Sequence, residues 1–189
     1  DLGIITGVSP NLPTLVEIPL RDEIQSRNNI KVFLDNDANL MALSQTVFYP
    51  QKDILGITIG TGIGSGFIHN SHIFHGSFFG ALEIGHTIIV KNGRLCKCGK
   101  KGCAEAYSSA NSTLEIINQK FPEKNISSIA QVYDLALTDP LIKTETDECI
   151  DILAIAVSNA VMTLNPHVVC IGGGVIEIPS FDFSLLKKR

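Results

Sequence analysis

The stretch DILGITIGTGIGSGFIHNSHIF, residues 53–74, decides the fold class. Two runs of apolar and β-branched residues, 53–59 and 65–69, predict strands. The glycine-rich segment 60–64 joins them as a turn, and Asn70-Ser71 is a plausible two-residue hairpin turn. The stretch therefore predicts neighbouring antiparallel strands with a glycine turn at one end.

Helices and further strands surround this stretch. Apolar spacing predicts helices at 19–28, 38–48, 103–118, 126–137 and 144–164, and strands at 30–34, 87–90 and 168–171. Helices mixed with strands in this order are typical of an α/β fold.

Composition narrows the class of protein. The chain has 189 residues, 44% hydrophobic and 18% charged, which suits one domain or one domain with part of another. No apolar run reaches the roughly 18 residues of a membrane helix. We therefore expect no membrane partner. The net charge of −4 gives no general basic surface, so we expect no nucleic-acid partner for this chain. Five unevenly placed cysteines favour a reducing, cytoplasmic location over a disulfide scaffold.

Four residues have the spacing of a metal site: His86, Cys96, Cys98 and Cys103 form H-x9-C-x-C-x4-C. Three thiolates and one imidazole fill the tetrahedral shell of a structural Zn²⁺ ion and leave no position for a catalytic water. Free thiols with an unrelated histidine are the alternative. The tight spacing in a glycine-rich segment favours zinc, which would tie the neighbouring Glu83 and Glu105 into one rigid patch.

A carboxylate stands between a predicted strand and a predicted helix, in the segment 35–39. Ligands of α/β sheets bind outside the carboxyl ends of strands, so Asp37 can orient a hydroxyl nucleophile there. A plain helix N-cap is the alternative. A carboxylate at a helix N-terminus is a weak base, but phosphoryl transfer depends more on positioning than on basicity.

Two glycine turns suit a nucleotide. The turn 60–64 joins two strands, so it is neither a Walker A loop nor a Rossmann fingerprint, but its backbone amides and the Thr61 hydroxyl suit a phosphate. Gly172-Gly173-Gly174 follows a predicted strand and permits close approach of a flat ring such as adenine. An ordinary hairpin turn and an ordinary strand end are the alternatives.

Together these pieces resemble the ROK family of sugar kinases and sugar-responsive repressors. The resemblance lies chiefly in residues 82–87 (LEIGHT) and 96–105 (CKCGKKGCAE). Segments 9–13, 36–39, 60–66 and 172–174 match in the same order. The resemblance implies an actin-like ATPase (ribonuclease H-like) fold, mostly its second lobe. Residues 1–36 would end the first lobe and 37–189 would form the second, with a zinc knuckle at 86–103.

The resemblance also implies a role for each site residue. Asp37 would be the catalytic base that takes the proton of the sugar hydroxyl. Residues that would hydrogen-bond the sugar are Asn11, Asn36, Glu83, His86 and Glu105. Residues that would bind ATP are Thr61 and Gly62 at the phosphates, and Gly173 and Gly174 along the nucleotide. His86 would use one ring nitrogen for zinc and the other for the sugar.

The sequence departs from the family pattern in three places. Family kinases begin with an Asp-x-Gly-Gly-Thr phosphate loop that helps to place Mg²⁺, and no such segment occurs here. We therefore expect a part of a longer protein, or a truncated gene product, that cannot phosphorylate a sugar by itself. Ser65 stands where many relatives carry glycine, and Leu12-Pro13-Thr14 lacks a following Gly-Trp. Both leave the choice of sugar open.

Several functions fit the resemblance. The leading expectation is an ATP-dependent kinase of glucose or another hexose, and the first alternative is an N-acetylhexosamine kinase, such as one for N-acetylmannosamine. A sugar-sensing repressor and an inactive zinc-binding relative are further alternatives. By analogy with the family, we also expect a homodimer.

Overall fold

The computed structural model describes residues 16–189, together with Ile4 and Thr14. The chain divides into two compact units, Asp1–Asn36 and Asp37–Arg189. In the first unit, helix α1 spans Leu20–Asn28, and Asn29 ends it in the left-handed conformation, with φ 49°.

The strand predicted at 30–34 is wrong, since the structure assigns no strand there. Ile30 is 58% exposed and Phe33 is 74% exposed. Apolar composition gives a segment only the propensity for a strand; a strand also needs a neighbour to pair with. Among the described residues this segment has no such pairing.

The second unit is built on a mixed sheet. Within the described part of the chain the strand order is β3-β2-β1-β4. The strands are β1 (Ile54–Ile59), β2 (Ile63–His69), β3 (His72–Ile73) and β4 (Val168–Gly172). Strands β1, β2 and β3 are antiparallel neighbours, and β4 pairs parallel to β1. The predicted hairpin turn is confirmed, because Asn70 and Ser71 have φ values of 50° and 65°, as a type I′ turn requires.

Six helices of the second unit surround this sheet in the described residues. They are α2 (Asp37–Ser44), α3 (Glu105–Ser108), α4 (Ala110–Lys120), α5 (Ile129–Ala136), α6 (Pro140–Leu164) and α7 (Phe183–Lys188). Short 3-10 turns lie at Gln45–Val47, Ile84–His86 and Pro122–Lys124. None of these helices, nor α1, is long and apolar enough to cross a bilayer.

Two of the sequence predictions differ from these elements. The helix predicted at 103–118 is broken at Ser109, whose backbone is extended and whose side chain caps α4 by accepting a hydrogen bond from the Ser112 amide. The strand predicted at 87–90 is only one isolated bridge, between Ile88 and Cys103. The amides of Ile89 and Val90 both donate to the single carbonyl of Gly102, which a regular ladder does not allow.

Alternate residues of β1 face two different layers. Leu55, Ile57 and Ile59 belong to the main core, which also contains residues of α5, α6 and α7. Ile54 packs on the other face, in a cluster with Ala42 of α2. The sheet is therefore covered on both faces, as in other α/β folds.

Candidate functional site

Glycines in the hairpin bring α2 against the sheet and thereby place Asp37. A Cβ added to Gly64 would lie 2.9 Å from the Cβ of Ala38, and one added to Gly56 would lie 2.7 Å from the Cβ of Ala42. Gly64 pairs with Thr58 near the end of β1. The amino end of α2, with Asp37, therefore lies at the carboxyl end of β1.

Asp37 is the first residue of α2 and not the N-cap residue before it, so the helix begins one residue earlier than the N-cap alternative requires. Its Oδ1 accepts a hydrogen bond of 2.9 Å from the amide of Ala38, and the residue is exposed. A carboxylate on an exposed helix end, beside the carboxyl edge of a sheet, is positioned to meet a ligand.

The glycine turn after β1 is fixed by α3 and α4. Glu105, the first residue of α3, accepts a 2.9 Å hydrogen bond at Oε2 from the Ile63 amide. The amide of Ala110 donates to the carbonyl of Gly60 at 2.8 Å. A Cβ on Gly62 would lie 2.7 Å from the same Glu105 oxygen. Glu105 therefore holds the turn through Oε2, which leaves Oε1 as the carboxylate oxygen without this bond.

The second glycine turn lies beside the first, because β4 and β1 end together. Gly172 pairs with Thr58, and the Val175 amide donates to the Ile59 carbonyl at 3.0 Å. Gly173 has φ 103°, and a Cβ there would lie 2.5 Å from that carbonyl, so only glycine fits. A Cβ on Gly174 would meet nothing within 4 Å, so its backbone is open to a close neighbour.

The Ile84–His86 turn is held against β2 beside the glycine turn. A Cβ on Gly85 would lie 2.5 Å from the carbonyl of Ile63, so this turn touches the backbone of the hairpin directly. Glu83, just before it, is exposed, while His86 is partly buried. Ile63 thus contacts both Glu105 and the turn between Glu83 and His86. The next residue, Gly64, makes the contact with α2 that places Asp37.

The four predicted metal ligands come together. Their ligand atoms, on His86, Cys96, Cys98 and Cys103, all lie within 4.8 Å of one another. Cys96 Sγ is 3.6 Å from His86 Nδ1, and Cys98 Sγ is 3.6 Å from Cys103 Sγ. A tetrahedral zinc with Zn–S bonds of about 2.3 Å spaces its sulfurs by roughly 3.8 Å. The donor set and its spacing are therefore compatible with zinc.

The backbone of the knuckle explains why these side chains converge. Gly99 and Gly102 both have φ 87°, which a residue with a side chain rarely adopts. The Cys96 amide donates to the Lys100 carbonyl, and the Gly99 amide donates to the Cys96 carbonyl, which closes the turn around the sulfurs.

The thiols differ in their surroundings. Burial raises the pKa of the Cys103 thiol to about 12 and raises the pKa of Cys96. A backbone hydrogen bond from Lys100 lowers the pKa of the exposed Cys98. Three adjacent thiolates need a cation to offset their charge, and a coordinated thiol is deprotonated outright. This chemistry also fits a divalent metal.

Two predicted residues are not tested by this geometry. Asn11 lies outside the described residues. Asn36 is exposed and ends the first unit, where its amide donates to Asp35 Oδ1 at 2.8 Å.

Sequence reasoning missed a groove of about 460 Å³ beside the first glycine turn. Thr61 and Glu105 line it together with Arg94, Asn111 and Ser112. The last three carry no motif, and α4 is brought to the turn by the Ala110–Gly60 hydrogen bond, which no spacing predicts.

The sequence profile of the ROK family matches residues 4–188, which is nearly the whole chain. The chain belongs to the ROK family.

Curated members of this family resemble the chain at about 30% identity. The glucokinase of Thermotoga maritima is 31% identical over 98% of the chain and 63% of its own length. The xylose repressor of Bacillus subtilis is 32% identical over 85% of the chain and 42% of its own length. The N-acetyl-D-glucosamine kinase of Vibrio parahaemolyticus is 30% identical over 93% and 62%. The chain thus spans between 42% and 63% of the length of these relatives.

Solved ROK structures share the fold. A ROK hexokinase from Thermus thermophilus matches 99% of the chain and 63% of its own chain, with a TM-score of 0.87 and 26% identity. A ROK glucokinase from Streptomyces griseus, in complex with glucose and AMPPNP, matches 97% and 65%, with a TM-score of 0.79 and 26% identity. The actin-like ATPase fold expected from the resemblance is confirmed by these matches.

Proposed function

We propose that the protein containing this chain transfers the γ-phosphate of ATP to a hydroxyl of a hexose. The observation that carries this proposal is the grouping around Ile63 and Gly64. The Glu105 carboxylate and the Gly85 turn contact Ile63, and the amino end of α2 contacts Gly64. Groups suited to a sugar, to a phosphate and to a proton are therefore attached to one rigid turn.

Asp37 accepts the proton in this proposal. The sugar hydroxyl oxygen forms a bond to the γ-phosphorus, the bond to the β,γ-bridging oxygen breaks, ADP leaves, and the hydroxyl proton passes to the Asp37 carboxylate. Exposure of Asp37 at the end of α2 supports access of a hydroxyl. Because the transition state is loose, accurate placement of the hydroxyl matters more than a strong base.

Nucleotide and sugar take adjacent parts of the turn region. Thr61 and Gly62 contact ATP phosphates through backbone amides and a hydroxyl, and Gly173 with the open backbone of Gly174 lines the nucleotide. ATP is bound with Mg²⁺, which offsets the phosphate charge. Glu83 and His86 bond sugar hydroxyls, with Glu105 through the oxygen that the turn leaves available.

Zinc has a structural part in this proposal. His86, Cys96, Cys98 and Cys103 fill a complete shell, so zinc would stiffen the wall that carries Glu83, His86 and Glu105. His86 would bind zinc through Nδ1, the nitrogen that lies 3.6 Å from the Cys96 sulfur, and would have Nε2 for a sugar hydroxyl. In this proposal, the second lobe is the unit Asp37–Arg189, and the first lobe ends with the unit Asp1–Asn36.

Glucose is the first choice of substrate. Similarity to the Thermotoga maritima glucokinase and to a glucokinase structure that holds glucose and AMPPNP supports it. An N-acetylhexosamine is the second choice, supported by the N-acetyl-D-glucosamine kinase relative. A sugar-responsive repressor is a different class of function, supported by the xylose repressor relative.

Replacement of Asp37 tests the proposal. In the full-length protein, we expect Asp37→Asn to lower glucose-dependent ADP release about 100- to 10,000-fold, the usual worth of a proton-accepting group. Glucose affinity, measured by calorimetry, should change little, because Asn keeps the size of the side chain.

Asp53→Asn is the matched control. Asp53 lies just before the amino end of β1, whereas Asp37 lies at the carboxyl end, and Asp53 hydrogen-bonds His69. Turnover by Asp37→Asn at the wild-type rate would remove Asp37 from this role. Glucose binding by the wild-type protein without any ADP release would favour the repressor instead. A panel of hexoses and N-acetylhexosamines in the same assay decides the substrate.

A further inference from the structure

Glu83 is the central residue of a tight turn. Its backbone has φ −76° and ψ 57°, and the amide of Ile84 donates to the carbonyl of Leu82 at 2.8 Å. These values describe an inverse γ-turn. Leu82, directly before it, has φ 63°, a left-handed conformation that a bulky residue rarely adopts. Such a backbone persists only where its surroundings hold it.

One hydroxyl of β2 holds both ends of this turn. The Ser65 hydroxyl donates to the carbonyl of Leu82 and accepts from the amide of Ile84 at 3.4 Å. A hydroxyl has one donor and two acceptor positions, so a single oxygen can make both bonds. Ser65 is 7% exposed, which keeps water from replacing it easily.

The rest of the surroundings hold the two sides of the turn unequally. Ile84 is 5% exposed in the main core, and Gly85 contacts the Ile63 backbone, so the segment after Glu83 is fixed independently. Leu82 packs against the same core but is only partly buried there, and the Ser65 hydroxyl bonds its carbonyl from outside the turn. Loss of the hydroxyl therefore frees the Leu82 side of the turn first.

We propose that Ser65 is a positioning residue: its hydroxyl fixes the γ-turn that presents the Glu83 carboxylate to the sugar. The inference rests on the proposed function, in which Glu83 binds a sugar hydroxyl. Ser65 does not touch the sugar; it acts through Glu83. The nucleotide groups at Thr61 and Gly174 do not depend on this turn.

Ser65→Ala in the full-length protein separates sugar binding from the other steps. With glucose as the probe, we expect the KM for glucose and its calorimetric Kd to rise about tenfold, the usual effect of one lost buried hydrogen bond. The KM for ATP and kcat should stay within about twofold. Equal losses in the two KM values, or an unchanged Kd for glucose, would overturn the proposal.

A double-mutant cycle shows whether Ser65 acts through Glu83. Glu83→Ala alone should weaken glucose binding, and Ser65→Ala added to it should cause no further loss. A merely structural Ser65 would lower the affinity by the same factor with or without the Glu83 carboxylate, which would contradict the inference.

Thr146→Val is the matched control. Thr146 is 2% exposed, and its hydroxyl donates to the Lys143 carbonyl within α6, so the change removes a buried hydroxyl away from the turn. It should lower Tm without raising the KM for glucose. If Ser65→Ala fails to fold, Ser65→Gly takes its place in the cycle; failure of both assigns Ser65 to folding and ends the proposal.

The two proposals fail in different ways. Wild-type protein that binds glucose but releases no ADP contradicts phosphorylation, and the calorimetric cycle still decides the role of Ser65. Glucose binding that is insensitive to Glu83→Ala removes Glu83 from the sugar site, and Ser65 with it, while Asp37→Asn still decides the chemistry.

Discussion

The hairpin under α2 and the cysteine knuckle both fix side chains of the site, but by different means. In the hairpin, α2 packs directly on glycines. A Cβ on Gly56 would lie only 2.7 Å from the Cβ of Ala42, which is too close for a side chain. In the described part of the knuckle, the apolar clusters are small: Cys96 and Cys103 pack with Ala106, and Ile89 and Val90 pack in a second cluster against α6. The hairpin is held by close packing, whereas the knuckle has little apolar surface of its own.

The difference separates the two halves of the proposed site. Asp37 depends on the packing of α2, and the sulfur ligands are not part of that contact. Glu83 and Glu105 lie at the two ends of the knuckle segment, next to His86 and Cys103. Disturbance of the packing should therefore affect the whole unit, while disturbance of the knuckle should first affect the groups proposed to bind the sugar.

The largest effect is expected from a side chain placed between α2 and the hairpin. A Cβ on Gly66 would lie 2.8 Å from Asn39 Cα and 2.9 Å from the Ala38 carbonyl oxygen, and backbone atoms cannot move aside cheaply. We expect Gly66→Ala to lower the free energy of unfolding by about 3 kcal/mol, measured by urea denaturation.

Gly80→Ala is the matched control for this substitution. A Cβ on Gly80 would meet nothing within 4 Å, and its backbone conformation does not require glycine. Its effect should stay within about 0.5 kcal/mol. Equal stability of the two variants would contradict the close packing of α2 on the hairpin.

Metal removal should have a smaller and more local effect. We expect the purified protein to contain about one zinc per chain, and Cys103→Ser to lose it. Hydrogen exchange should then speed up at amides that close the knuckle, such as Cys96, Gly99 and Gly102. Amides of β1 should keep most of their protection, because that strand is held by packing.

Cys170→Ala controls for the loss of a thiol, since Cys170 lies on β4 and is not part of the ligand set. It should keep the zinc and the protection of the knuckle. A uniform rise in exchange over β1 and the knuckle after metal removal would show that both regions depend on the metal. That result would contradict the separate stabilisation of the hairpin by packing.

The same contrast explains what the sequence could predict. The ligand set was predictable because His86 and the three cysteines lie within 18 residues and their chemistry is specific. The hairpin was predictable because its strands are adjacent and Asn70-Ser71 suits the turn. Local chemistry and local pattern are visible in one sequence: the structure brings the four predicted ligand side chains together and contains the predicted hairpin turn.

Contacts between distant residues were not predictable in the same way. The Glu105–Ile63 hydrogen bond joins residues 42 positions apart, and the Ser65–Leu82 bond joins residues 17 apart. Nothing in the pattern shows that Gly56 faces Ala42, because glycine in a strand marks a close neighbour without naming it. The wrong prediction of a strand at 30–34 has the same cause, because the sequence of a segment alone does not show whether a neighbouring strand will pair with it.

The smallest effect is one of thiol reactivity, without a change in stability. All five cysteines are free, and three of them belong to the ligand set. In zinc-loaded protein we expect a thiol reagent at pH 8 to label Cys170 alone at an appreciable rate. Chelation should add the three knuckle thiols, and Cys149, which is buried, should remain the slowest of the five to react.

The pH dependence of Cys149 checks the last step. Burial within α6 raises the pKa of its thiol to about 12, above the 9.0 of an ordinary thiol. The thiolate is the reactive form, so labelling in the folded protein should rise about tenfold for each pH unit between 7 and 9 and should not level off there. Mass spectrometry of the labelled peptides measures each rate. Labelling of Cys149 together with the knuckle thiols on chelation would show that metal loss opens the helical core as well, and the packed and metal-held regions would then be one cooperative unit.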